Sequence, residues 1–309
     1  MSQPQAASSI KGIGKIGILI LLVVVGVGGF FLARWWMAKP PGIPFASYGE
    51  AYATKTDFAK VEHDFPLSAA DRMKLTPKNI QLFDQEQIDQ IYARLTAGPI
   101  PDGSHDGDLW FPRGVSGSLR VQEILGGVPG MVAAIETEKL KLLGRALWKG
   151  KVFYKKERVL RNRIDDLGVF AVFPQFFPKP DEEAEVRKLM TNGHKDNLYF
   201  PAKLYCGQSL LDSRKESVII DYAFTDEIEG YHAVPDRLGG REGLLIRDEI
   251  RMIRPGFYLG RAYMLETFLL NFTVYNEEAA KAGSDDFLKT GKSATEDCWT
   301  GPQSMAANQ

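Results

Sequence analysis

The sequence predicts a mainly β protein with a helical N-terminal region, tethered to a bilayer by one N-terminal transmembrane helix. Three observations carry this reading. Ile16 to Ala33 are eighteen uncharged residues in a row. From Ala146 onward short β-prone runs follow one another. Between these regions, apolar residues recur at helical spacing.

The apolar run reads IGILILLVVVGVGGFFLA. At about 1.5 Å of rise per residue it matches a hydrocarbon core about 30 Å thick. Lys15 and Arg34 mark its ends, and Trp35 and Trp36 stand where interfacial aromatics are expected. A cleaved signal peptide needs small residues ahead of the cut, whereas Phe30, Phe31, Trp35 and Trp36 fill this window. Lys11, Lys15 and the terminal amine precede the helix, against Arg34 and Lys39 after it. That bias predicts a cytoplasmic N-terminus in an inner (cell) membrane, with the body outside the cytoplasm.

The formal net charge of −1 hides an asymmetry. The first 49 residues hold four basic residues and no acid, leaving 34 basic (38 less 4) against 39 acidic in the remainder. A mildly acidic body with no basic stripe excludes nucleic acid as the partner. Cys206 and Cys298 stand in no metal-type or redox spacing, and the sequence leaves open whether they pair.

The chain reads as four segments: tail and anchor over 1–39, stalk and helical region over 40–143, a β body over 144–275, and a polar tail over 276–309 containing a helix. Pro40, Pro41 and Pro44 begin the stalk. Leu75 to Leu95 carries a helix, with Asp84 as N-cap and Ile88, Ile91, Tyr92 and Leu95 at helical spacing. A Gly/Asp/Pro loop then runs to Trp110, and a second helical region spans Leu119 to Leu143. In the body, ALWKGKVFYK, VLRNRI, GVFAVF, LYFPAKLYC, SVIIDYAF, LLIRDEIRMI, GFYLGRAYM and TFLLNFTVY read as one antiparallel sheet, curled into a barrel or stacked as a sandwich. Asp181 to Met190 reads as a short inserted helix.

Period-two alternation assigns faces. Val218, Ile220, Tyr222 and Phe224 share one face, as do Leu160, Asn162 and Ile164. Pro255-Gly256 fits a type II turn, which sets Arg254 opposite Phe257, Ile250 opposite Arg261 and Asp248 opposite Tyr263. Arg247, Glu249 and Arg251 then take the solvent face, so Asp248, Arg261 and Tyr263 meet on the apolar one. Asp248 and Arg261 are expected to pair, because a buried charge is costly alone. The trio is either a structural ion pair pinning the sheet or a head-group site for a carboxylate or phosphate. A one-residue slip dissolves it.

Arg261-Ala262-Tyr263 is similar to the Arg-x-Tyr element of fatty-acid-binding proteins, and GRALWKGKVF from Gly144 to Phe153, with one more residue ahead of its Trp, resembles the Gly-x-x-Trp-x-Gly opening of lipocalin-type barrels. The resemblance implies a lipocalin-like antiparallel β-barrel over 144–275. It further implies that Trp148 seals the floor and that Arg261 and Tyr263, with Asp248 and Tyr222, line a ligand site.

No nucleophile elbow, Walker loop or dinucleotide fingerprint occurs. Asp102, His105, Asp106 and Asp108 lack a fixed ligand spacing and read as a solvated turn. No catalytic residue, metal or cofactor is therefore expected. The leading expectation is a membrane-anchored, extracytoplasmic, non-enzymatic binder of a lipid, a fatty acid or another amphiphile. An accessory subunit of a larger membrane protein complex is the alternative. A hydrolase or isomerase using Asp248 or a histidine ranks last.

Overall fold

The computed structural model describes residues 39–48, 56–114, 147–165, 188–191 and 194–301. The apolar run over 16–33, the helical region over 119–143 and the run GVFAVF over 168–173 lie outside the described residues. Among the described residues, no helix is long and apolar enough to cross a membrane. The chain divides into two units, 1–41 and 42–309, and the second carries the whole sheet and its flanking helices.

Among the described residues nine strands form the sheet: β1 (Gly103–Trp110), β2 (Trp148–Tyr154), β3 (Val159–Asp165), β4 (Lys188–Thr191), β5 (His194–Gln208), β6 (Glu216–Asp221), β7 (Ile246–Arg254), β8 (Phe257–Met264) and β9 (Thr267–Tyr275). Every pairing is antiparallel, and contact between β3 and β5 closes eight of them into a barrel. β4 lies outside this ring, paired to the first half of β5, whereas the second half pairs with β6. The long β5 bends at Phe200, which precedes Pro201 and has a left-handed φ of 52°. Strand β4 takes Lys188 to Met190 out of the expected helix over 181–190.

Seven of the eight β-prone runs are strands, and the eighth strand of the barrel comes from elsewhere. It is β1, in the segment read as a Gly/Asp/Pro loop. Strand β1 bridges β2 and β9 and completes the ring, so the barrel begins at Gly103, well ahead of 144. Its glycines and aspartates disguise it, because Gly and Asp are poor strand formers that only tertiary pairing holds extended.

Among the described residues, four helices longer than one turn flank the barrel: α1 (Phe58–Asp64), α2 (Ala69–Lys74), α3 (Gln85–Ala93) and α4 (Glu277–Thr290). The expected N-cap Asp84 opens α3 through a capping box with Gln87. Asn276 caps α4 by accepting from the Ala279 amide at 2.9 Å.

Among the described residues two large apolar cores result, beside a small cluster of Ile164 and Tyr199. One fills the barrel, with Phe153, Leu160, Leu204, Val218, Ile220, Ile250, Tyr258, Phe272 and Val274. Interdigitation here is close: a Cβ on Gly107 would lie 2.4 Å from the Trp148 ring and one on Gly260 2.2 Å from the Phe272 ring, so each aromatic packs onto bare backbone. Ala97, Ile100, Phe287 of α4 and Cys298 join this core and stopper the end where β7 turns into β8. The second core lies outside the wall, where α3 sets Ile88, Ile91 and Tyr92 against Ile253, Phe257 and Leu259.

A disulfide joins Cys206 on β5 to Cys298, with Cα atoms 5.4 Å apart. It straps the C-terminal segment over the stoppered end, where the Asp297 carboxylate also accepts the Ile100 amide at 2.8 Å and pairs with Lys155 at 2.6 Å.

Candidate functional site

The β7–β8 hairpin decides which side chains reach the interior. Gly256, at φ 69°, supplies the expected turn, and Arg254 does face Phe257. A bulge between Met252 and Arg254 then shifts the register by one residue. Asp248 therefore lies opposite Ala262, and Arg261 opposite Glu249. That slip separates the predicted trio: Asp248 points into the barrel, while Arg261 and Tyr263 point out through the wall.

Outside, α3 covers them. Arg261, 1% exposed, pairs with Asp89 of α3, donates from Nε to the Tyr263 hydroxyl at 2.8 Å and stacks on the Phe268 ring at 4.0 Å. Burial alone lowers the Arg261 pKa, but Asp89 beside it more than reverses this and holds the guanidinium charged. Burial likewise pushes the Tyr263 phenol up to about 12. Gln85 bridges Asp89 at 2.7 Å and Asn271 at 2.7 Å. On the face read as solvent-exposed, Glu249 and Arg251 are buried too. Glu249 accepts the Leu210 amide at 2.8 Å, and Arg251 donates to Ser217 Oγ and to the carbonyls of Tyr92, Asp212, Glu216 and Lys215. With Asp89 on Arg261, Arg247 on Glu249 and Arg251 held by backbone carbonyls, this layer is a hydrogen-bonded structural network.

Inside, the partner of Asp248 is a residue absent from the predicted site. Lys151 on β2 is 3% exposed, and its ammonium is 2.9 Å from Asp248 Oδ2, 2.7 Å from the Tyr222 hydroxyl and 2.9 Å from Asn162 Oδ1. Trp148 Nε1 donates to the same Asn162 oxygen at 3.0 Å, and Asn162 Nδ2 donates to the Tyr222 hydroxyl at 2.9 Å. The rings of Phe272, Tyr222 and Trp148 surround Nζ at 5.1, 5.4 and 5.5 Å. Burial depresses the Lys151 pKa against the opposing pull of Asp248, and burial followed by Asp248 raises that of Tyr222. Of the five expected site residues, the fold thus brings Asp248, Tyr222 and Trp148 together and leaves Arg261 and Tyr263 on the other side of the wall. Trp148 is not in the stoppered floor; its indole packs on Gly107 and Phe272 beside the Lys151 cluster.

The four-residue Asp/His cluster is likewise split by strand alternation. His105 turns inward and packs edge-on against Phe153 and Tyr258, whereas Asp106 turns outward to Arg163 at 2.7 Å. Burial pushes the His105 imidazole down to about 4, so it is neutral at pH 7. Among the described residues, Cys206, Glu216 and Cys298 are the one acid/Cys/His group close enough to hold a metal ion, and its two sulfurs are joined as the disulfide.

The signal for Lys151 was present in the sequence. Phe153 belongs to the apolar face of GKVFYK, and period two places Lys151 on that face with it. Chemically, the cluster is a neutral ion pair with an amide and a phenol, enclosed by aromatics, inside an apolar barrel. No family model, curated protein or solved structure matches the chain. The class it defines is accordingly a closed, eight-stranded antiparallel β-barrel with a polar cluster on its inner wall.

Proposed function

We propose that this chain is a membrane-anchored, extracytoplasmic, non-enzymatic binding protein of the lipocalin type, which takes a lipid or similar amphiphile into its barrel. The observation that carries the reading is the Lys151–Asp248–Tyr222–Asn162 cluster on the inner wall, set among apolar side chains above a stoppered floor. A few convergent polar groups among apolar side chains are the usual composition of an amphiphile site: the apolar side chains take the chain and the cluster orients the head. Around the cluster, Trp148, Phe200, Ile246 and Leu270 are only partly buried. The Cys206–Cys298 disulfide supports an oxidising, extracytoplasmic compartment. The apolar run Ile16–Ala33 supports the tether, which would hold the barrel where amphiphiles are concentrated.

Native mass spectrometry of the detergent-purified full chain tests this. A bound lipid or fatty acid, displaced by a long-chain acid that also raises the melting temperature, is the expected result. A ligand-free chain whose melting no amphiphile shifts would refute the proposal.

A second reading, as an accessory subunit of a membrane complex, is favoured by one surface observation. The disulfide sets exposed Tyr205 and Trp299 beside its two cysteines, and Trp299 is 61% exposed. A co-purifying protein in the same spectra would favour this alternative.

A further inference from the structure

We propose that Lys151 attaches its ligand covalently: Nζ forms an imine with the aldehyde or ketone carbonyl of an amphiphile held in the barrel. This rests on the binding reading above and names the ligand's reactive group.

The geometry supplies what imine formation needs. The amine stands inside a closed barrel, walled by Trp148, Tyr222 and Phe272, where a C=N bond is shielded from hydrolysis. A proton acceptor, Asp248, touches Nζ at 2.9 Å. A hydroxyl that can relay protons, Tyr222, touches Nζ at 2.7 Å and Asp248 at 3.3 Å. Desolvation makes the free amine easier to reach than on a surface lysine.

The step balances. The Lys151 ammonium passes a proton to the Asp248 carboxylate, and the freed lone pair attacks the carbonyl carbon. The carbonyl π pair moves to oxygen, which takes the proton back from Asp248. The resulting carbinolamine nitrogen loses a second proton, through Tyr222, to the departing hydroxyl, which leaves as water while C=N forms. The product is a protonated imine, with the third original ammonium proton still on nitrogen. Its positive charge equals that of the ammonium it replaces, and Asp248 is again its counter-ion. Attachment therefore leaves the charge of the buried cluster unchanged, avoiding an uncompensated carboxylate in the core.

The test uses the full chain in detergent, dodecanal as probe and cyanoborohydride to trap the imine, with peptide mapping of the adduct. Dodecanol is the unreactive control for binding. The expected result is one predominant adduct, on Lys151, with far less on the exposed Lys60, Lys78 and Lys281. Lys151→Arg keeps the charge but removes the nucleophile, so the adduct should vanish. Asp248→Asn should slow adduct formation by about a hundredfold, as expected for loss of a positioned acid–base group. Equal labelling of wild type and Lys151→Arg overturns the inference. Stabilisation by dodecanol without an adduct on Lys151 overturns it and leaves reversible binding standing. Neither stabilisation nor an adduct removes both.

Discussion

Asp248 and Arg261 stand back to back across one barrel wall. Asp248 reaches inward to Lys151 at 2.9 Å, and Arg261, on the neighbouring strand, reaches outward to Asp89 of α3. Each charge is neutralised in a separate buried compartment, one inside the barrel and one beneath the helix. The single-residue bulge between Met252 and Arg254 produces the separation, because side chains alternate with period two and a shift of one exchanges the faces.

Arg261→Leu should therefore strand Asp89, not Asp248. The expected loss of stability is about 3–5 kcal/mol, the cost of breaking a buried pair from one side. Asp89→Asn in the same chain should recover much of it, while Asp248→Asn should add its own penalty. Denaturant unfolding of the three variants checks this, and rescue by Asp248→Asn would put both residues on one face after all.

Much of the fold is legible in local patterns. Val218, Ile220 and Tyr222 on one face, Asn162 pointing inward, Asp84 as a cap and seven of the strands all follow from patterns that tertiary packing respects. Three features are hidden, each for a physical reason. Strand β1 is written in Gly, Asp and His, so only its neighbours β2 and β9 make it a strand. The β7 bulge leaves no local signature, because Ile253 resembles any apolar strand residue. Burial of Glu249 and Arg251 depends on α3 lying across them, and an alternating polar face looks the same whether water or a helix covers it.

His105 sets an acid limit. Its imidazole titrates at about 4 in the fold and near the ordinary 6.5 when unfolded, so the unfolded chain binds more protons between these values. Stability should be constant above pH 6.5 on this account and fall by about 3 kcal/mol as pH drops toward 4. His105→Leu should flatten that part of the profile. Unfolding midpoints across the range, for both proteins, decide it, and parallel profiles would rule the histidine out.

The disulfide closes a long loop, with 92 residues separating Cys206 from Cys298. Loop-closure entropy predicts that the double Cys206→Ser, Cys298→Ser variant loses about 4.6 kcal/mol. Oxidised wild type should melt well above both the reduced protein and this variant, which should behave alike. If reduction leaves the melting temperature in place, the strap is held by Asp297 and its partners without the covalent link.

The interior cluster makes the sharpest demand. Lys151 uses its three protons on Asp248, Tyr222 and Asn162, so each partner relies on the ammonium differently. Lys151→Met leaves the Asp248 carboxylate alone in an aromatic enclosure and should cost about 3–5 kcal/mol. Lys151→Met with Asp248→Leu removes both charges and should restore most of that, because an apolar pair packs comfortably among Trp148, Phe272 and Ile250. Tyr222→Phe deletes one hydrogen-bonding hydroxyl and should cost about 1 kcal/mol. A cluster that serves only architecture would leave the double variant stable and still responsive to amphiphiles. A ligand site predicts a stable double variant that no longer binds: native mass spectrometry should find it empty, and a long-chain acid should not raise its melting temperature. Ligand-induced stabilisation equal to wild type in that variant would place the binding site elsewhere on the chain.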